Sequence, residues 1–272
     1  FTEHWGRDLH EVSRELGERH FEALRLGNLE WAGHAGHLHC VGAMFTGRPL
    51  PALLDEMEEY RLRIERLGLS RTVRALAKYQ QAVEALLGRT ATPLELTGSY
   101  GHERSELELY RKEGDFLAIV GSYALRGWLA TYADRPDRAL SDYRQAGEHL
   151  HLATSLPDVP VIYFLWGMAA WREGAIAEGR RALRILRRWA RQMPANQRHR
   201  YLLLLAERAR HHGRRRRASR LYGRAVAAAT EKGYIHEAAL ASERLGDLLD
   251  EEGRRVAAAD AAFEQAFALY TR

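Results

Sequence analysis

Four small residues recur along the second half of this chain at nearly constant spacing. Gly127, Gly167, Ala206 and Gly246 stand 40, 39 and 40 residues apart. Twelve or thirteen positions after each comes another small residue: Ala139, Gly179, Ala218 and Ala259. Four further on is a bulky one, Tyr143, Leu183, Tyr222 or Phe263. Three beyond that is Ala146, Leu186, Ala225 or Ala266. Self-similarity at such a period marks a stack of identical supersecondary units. Small residues placed this way let two helices cross at about 8–10 Å, and the large residue fills the gap between them.

The repeat resembles the tetratricopeptide kind, a pair of antiparallel helices. The fold expected is therefore all-α: a right-handed α-solenoid of helix pairs with no β-sheet. The pairs are expected at about 115–133 with 136–151, 159–173 with 175–192, 196–212 with 214–231, and 234–252 with 254–270. The first part of the chain, 1–113, is less regular. Helices are expected over Leu9–Leu26, Leu29–Phe45, Pro51 to about Leu67, and a stretch capped by Ser70 that ends near Leu87. Residues 88–104 carry Gly, Thr, Pro, Ser and Tyr without helical period and are expected to form a loop before a short helix at Glu106–Arg111. The 272 residues are read as one helical-repeat domain, natural for a solenoid in which each unit touches only its neighbours. The chain opens without Met and closes on an apolar helix, so a longer polypeptide is expected.

No apolar run approaches the roughly 18–20 residues of a membrane span, and a single cysteine, Cys40, fits a reducing cytoplasm. The net charge of +5 is carried almost wholly by arginine. Two basic tracts stand out: Arg214–Arg217, and the stripe Arg180, Arg181, Arg184, Arg187, Arg188 and Arg191. Both read as solvated outer faces, and near-balancing acidic residues disfavour nucleic acid as a partner. The phosphate-cradling loop, the dinucleotide glycine motif, the zinc-type cysteine pair and the nucleophile elbow are all absent from the sequence. Hence no enzyme activity and no cofactor is assigned to this chain. His34, His37, His39 and Cys40 share one helix, but packing explains them better than a metal does, and no metal is assigned.

The repeat register also places residues on the inner face of the solenoid. In successive helices these include Trp128 and Tyr132, then Phe164, Met168, Trp171 and Arg172, then Arg200, Glu207 and Arg210. Aromatic rings beside arginine suit a protein or peptide partner, or a small apolar or anionic ligand. The competing reading packs the Trp128 and Trp171 rings against neighbouring helices.

Three stretches resemble the helical-repeat region of large bacterial signalling proteins that join a serine/threonine kinase-like domain, a signal-transduction ATPase, and often a GAF domain and a histidine kinase. They are HFEALRLGNLEWAGHAGHLHCVGAMFTGRPLPALLDEM, LRRWARQMPANQRHRYLLLLAERAR and LYGRAVAAATEKGYIHEAALASERLGDLL, the last centred on Gly233 to Ala241. The resemblance implies a cytoplasmic sensor or scaffold, with other domains of the same polypeptide as partners. None of the family's kinase or ATPase residues has a counterpart here. The alternative is a free-standing regulator that binds a small molecule or peptide in its groove.

Overall fold

The structure is a computed structural model and describes residues 6–251 and 256–272. Among the described residues thirteen α-helices make up most of the structure. They are α1 (Leu9–Arg25), α2 (Leu29–Phe45), α3 (Leu50–Arg66), α4 (Ser70–Leu86), α5 (Glu103–Glu113), α6 (Phe116–Tyr132), α7 (Pro136–Gly147), α8 (Val159–Arg172), α9 (Ile176–Gln192), α10 (Pro194–His211), α11 (Arg215–Glu231), α12 (Ile235–Asp250) and α13 (Val256–Tyr270). The chain divides into two compact units, 1–162 and 163–272, with the division inside α8. In the first unit α1 to α4 pack each on the next, α4 and α5 both lie on α6, and α6 pairs with α7. In the second, α9 to α13 follow the same sequential rule. The fold class is that of an all-α helical repeat.

Local chemistry sets the boundaries. Asp115 caps α6 by accepting a hydrogen bond from the Ala118 amide at 3.0 Å, and Asn28 does the same for Trp31 at the start of α2. The expected cap Ser70 is instead the first residue of α4; Leu69 precedes it and gives no side-chain cap. The tight turns need a left-handed residue. Gly213 supplies it between α10 and α11 at φ 67°, and Asp134, at φ 55°, takes that conformation between α6 and α7. The expected end of one helix at 252 and the expected start of the next at 254 lie outside the described residues.

Two expectations are corrected. A minimal antiparallel ladder, Thr97–Gly98 with Gly101–His102, interrupts the all-helical order, and α5 is longer than Glu106–Arg111. Buried side chains of α4 explain why this loop folds back. Gln81 Oε1 accepts from the Tyr100 amide at 3.1 Å, and Glu84 accepts from the Ser99 hydroxyl at 2.6 Å. A polar loop can pair its backbone here only because α4 keeps acceptors on an otherwise buried face.

The recurring small residues lie at helix crossings. A Cβ on Gly127 would stand 2.8 Å from the Tyr143 ring, and one on Gly246 would stand 2.6 Å from Phe263. At Gly167 the contacts are Ala182 at 2.7 Å and Leu204 at 2.8 Å, so this crossing uses the residue before Leu183. Gly167→Leu is therefore expected to destabilise the second unit by about 1–3 kcal/mol through overpacking. A thermal melt that matches the parent protein would remove Gly167 from a crossing.

Candidate functional site

The expected inner-face residues are largely core. In the first unit Trp128 is 4% exposed and packs edge-on against Phe45 and Tyr132; Tyr132 is partly exposed. In the second unit Phe164, Met168 and Trp171 are buried, and the Trp171 ring lies over Gly179, whose Cβ would stand 2.7 Å away. Arg172 is partly exposed. Arg200 is 1% exposed and binds Glu237 at 2.8 Å, while buried Glu207 accepts the Tyr222 hydroxyl at 2.7 Å. Arg210, partly exposed, pairs with Glu251. The physical reason is composition. The sequence of α8, VPVIYFLWGMAAWR, is apolar on nearly every side, and such a helix is mostly buried; only Tyr163, Trp166 and Arg172 of it are partly exposed. Most of these side chains are packed or paired inside their own unit, so within each unit they do not form an open aromatic strip.

The site that does open lies in the first unit. A cavity of about 440 Å³ is bounded by α2, α4, α5, α6 and the segment Ser155–Asp158. Lys78, on its wall, is 5% exposed. The Lys78 ammonium donates to the Ala118 carbonyl at 3.1 Å and lies 5.2 Å from the Tyr110 ring centre. Helix α6 comes this close because Gly121 has no side chain; a Cβ there would stand 3.2 Å from Nζ. Burial pulls the Lys78 pKa down to about 8, against the attraction of Asp115, Glu106 and Asp158.

Beside Lys78, the Tyr79 hydroxyl donates to Asp158 Oδ2 at 3.1 Å. Burial raises the Asp158 carboxyl above its ordinary range, although Tyr79, the backbone amides of Asp158 and Val159, and Lys78 pull the other way. Asp158 Oδ1 is buried with no hydrogen-bond partner, as is Nε2 of His37 on the facing helix. Burial, with Lys78 and His34 nearby, pushes the His37 pKa down to about 3, so its ring is neutral at pH 7. Arg74 binds Glu113 at 3.0 Å and Arg71 stands 3.8 Å from Asp115, so the mouth charges are answered. Leu38, Leu117, Val120 and Leu156 supply apolar wall.

The four histidine-helix residues separate. His34 and His37 line the cavity, whereas His39 is held by the Ser13 carbonyl at 2.7 Å and by Glu56 at 3.0 Å, and Cys40 is buried. No group of three or more His, Cys, Asp or Glu side chains is placed to hold a metal among the described residues. In the second unit the arginine stripe is exposed throughout, as is Arg214–Arg217. Arg180, Arg184 and Arg187 of α9 line a shallow groove with Tyr201 and Arg208 of α10.

No protein-family model matches the chain, and no curated protein matches it in sequence. No helix among the described residues is long and apolar enough to cross a membrane.

Proposed function

We propose that this chain is a non-catalytic helical-repeat sensor module that binds a small ligand in the first-unit cavity and passes that event to other domains of a bacterial signalling polypeptide. The observation that carries the reading is Lys78. A buried ammonium with one hydrogen bond is costly to keep, and it faces a cavity in the size range of small-molecule sites. A ligand there would touch α2, α4, α5 and α6 together, so binding would tighten the packing of several helices at once. The free-standing regulator remains the second reading, because the same cavity would serve it. The sensor's wider setting follows from the resemblance alone.

The test is hydrogen exchange on the full chain, with and without the fraction of bacterial cytosol below about 1 kDa. Slower exchange over 34–38, 71–79 and 117–121 is expected, and Gly121→Leu, which fills the space beside Lys78, should abolish it. No protection, or equal protection in the Gly121 variant, overturns the reading. ATP alone should change nothing and release no phosphate, since no phosphate-cradling loop exists. Turnover of ATP by the purified chain would contradict the non-catalytic part.

A further inference from the structure

Resting on the cavity reading above, we propose that the ligand is a small monocarboxylic acid with a hydrogen-bond donor on its α carbon, an α-amino or α-hydroxy acid with an apolar tail, its carboxylate on Lys78 and its donor on Asp158. The argument is an inventory of unspent hydrogen-bonding capacity. An ammonium has three N–H donors. Lys78 uses one on the Ala118 carbonyl and makes no ion pair among the described residues. Two donors are left for a ligand, and the charge is offset only at longer range by Asp115, Glu106 and Asp158, none of which forms a contact ion pair with it among the described residues. Arg71 and Arg74 are the other cations at the cavity, and each already faces a carboxylate. One ammonium without a contact ion pair fits one carboxylate. A nucleotide or a diphosphate would bring several negative charges to a site that can answer only one.

Asp158 sets the second requirement. The Tyr79 hydroxyl occupies Oδ2, and Oδ1 is buried without a partner. A buried acceptor left unmet is expensive, so a ligand that brings a donor gains over one that does not. An amino or hydroxyl group next to the carboxylate does so. Neutral His37 adds an unpartnered ring nitrogen, which can donate or accept. Leu38, Leu117, Val120 and Leu156 then leave an apolar surface for the tail.

Four matched probes separate these requirements by titration calorimetry at pH 7 on the full chain. L-Leucine and 2-hydroxyisocaproate carry both groups, 4-methylvalerate only the carboxylate, and isoamylamine only the amine. The first two should bind. The third should bind about tenfold more weakly or worse, and the fourth not at all, since it repels Lys78. Lys78→Met should abolish binding of both acids while the chain stays helical and melts no earlier. Asp158→Leu should bring L-leucine down to the level of 4-methylvalerate. Four equal affinities, binding that survives Lys78→Met, or no binding by any of the four overturns this ligand class. If none of the four binds while the cytosolic fraction still protects the cavity, the class is wrong and the sensor reading stands. If the fraction also fails, both fall.

Discussion

Glu237→Ala is expected to cost the second unit about 3–5 kcal/mol, the range for removing one partner of a buried ion pair. Glu237 is 2% exposed and accepts from His199 and from Arg200, which are 2% and 1% exposed. Burial works against the Glu237 carboxylate, but Arg200 and then His199 outweigh it and hold its pKa at about 2. If the carboxylate is removed, Arg200 cannot shed its charge, so a guanidinium is left in the interior. It also loses the anchor that keeps it over the Tyr234 ring, at 5.3 Å. Two controls identify the cause. Removing both charges, as Glu237→Leu with Arg200→Met, should recover most of the loss, because a buried pair replaced by apolar groups is often neutral. Acid should act like the mutation. Glu237 has a folded pKa below its ordinary 4.5, so its contribution is complete above pH 4.5 and fades as the pH falls toward 2. Exchange rates over 196–240 as a function of denaturant would report the change. A loss under about 1 kcal/mol would show that the pair is spectator to the fold.

The two parts of the chain were legible to different degrees, and the reason is the range of the forces involved. Helix ends follow local chemistry: left-handed turns at Gly213 and Gly233, a cap at Asp115 and a proline opening α7 are all visible in short windows. The crossings followed from period, since Gly127 under Tyr143 repeats as Gly246 under Phe263. The inner face failed because its register assumes a helix with one open side. α8 opens only partly, at Tyr163, Trp166 and Arg172, and its nearly unbroken apolar sequence was the available sign that Phe164, Met168 and Trp171 are core. Arg200 and Glu207 misled for another reason. A charge on a helix usually marks solvent, but Glu237 lies 37 residues from Arg200 and Tyr222 lies 15 from Glu207, and no local window contains the partner.

The cavity was missed on the same ground. Val73, Leu76, Tyr79 and Val83 mark one face of α4, and a lysine next to Tyr79 reads as its wet edge. What buries Lys78 is the arrival of Ala118, 40 residues on, and what completes the site is Asp158, 79 residues from Tyr79. One faint sign existed. Lysine occurs only at 78, 112 and 232 in a chain that otherwise uses arginine, and lysine is the cation whose pKa yields to burial.

Lys78→Met is expected to stabilise the first unit at pH 7, on the order of 3 kcal/mol. The figure is the drop in the lysine pKa from 10.5 to about 8, converted at about 1.4 kcal/mol per pKa unit. The sign follows from linkage. Between pH 8 and 10.5 the unfolded chain holds the Lys78 proton and the folded chain does not, so stability of the parent protein rises with pH across that window. Below pH 8 the folded state carries the full cost of a charge taken out of water, and methionine removes it while keeping a flexible, similar-sized side chain on Tyr110 and Gly121. The variant should therefore unfold at higher denaturant concentration at pH 7, and the gap to the parent should close as the pH approaches 10. Exchange over α4 and α6 would localise the gain to this unit. A fold that is weakened by one charge, and strengthened by deleting it, is what a binding site looks like when a ligand's opposite charge is meant to complete it. A Lys78→Met protein less stable than the parent at pH 7 would mean that the ammonium holds the helices together through Ala118 and Tyr110, and that the cavity is a by-product of packing.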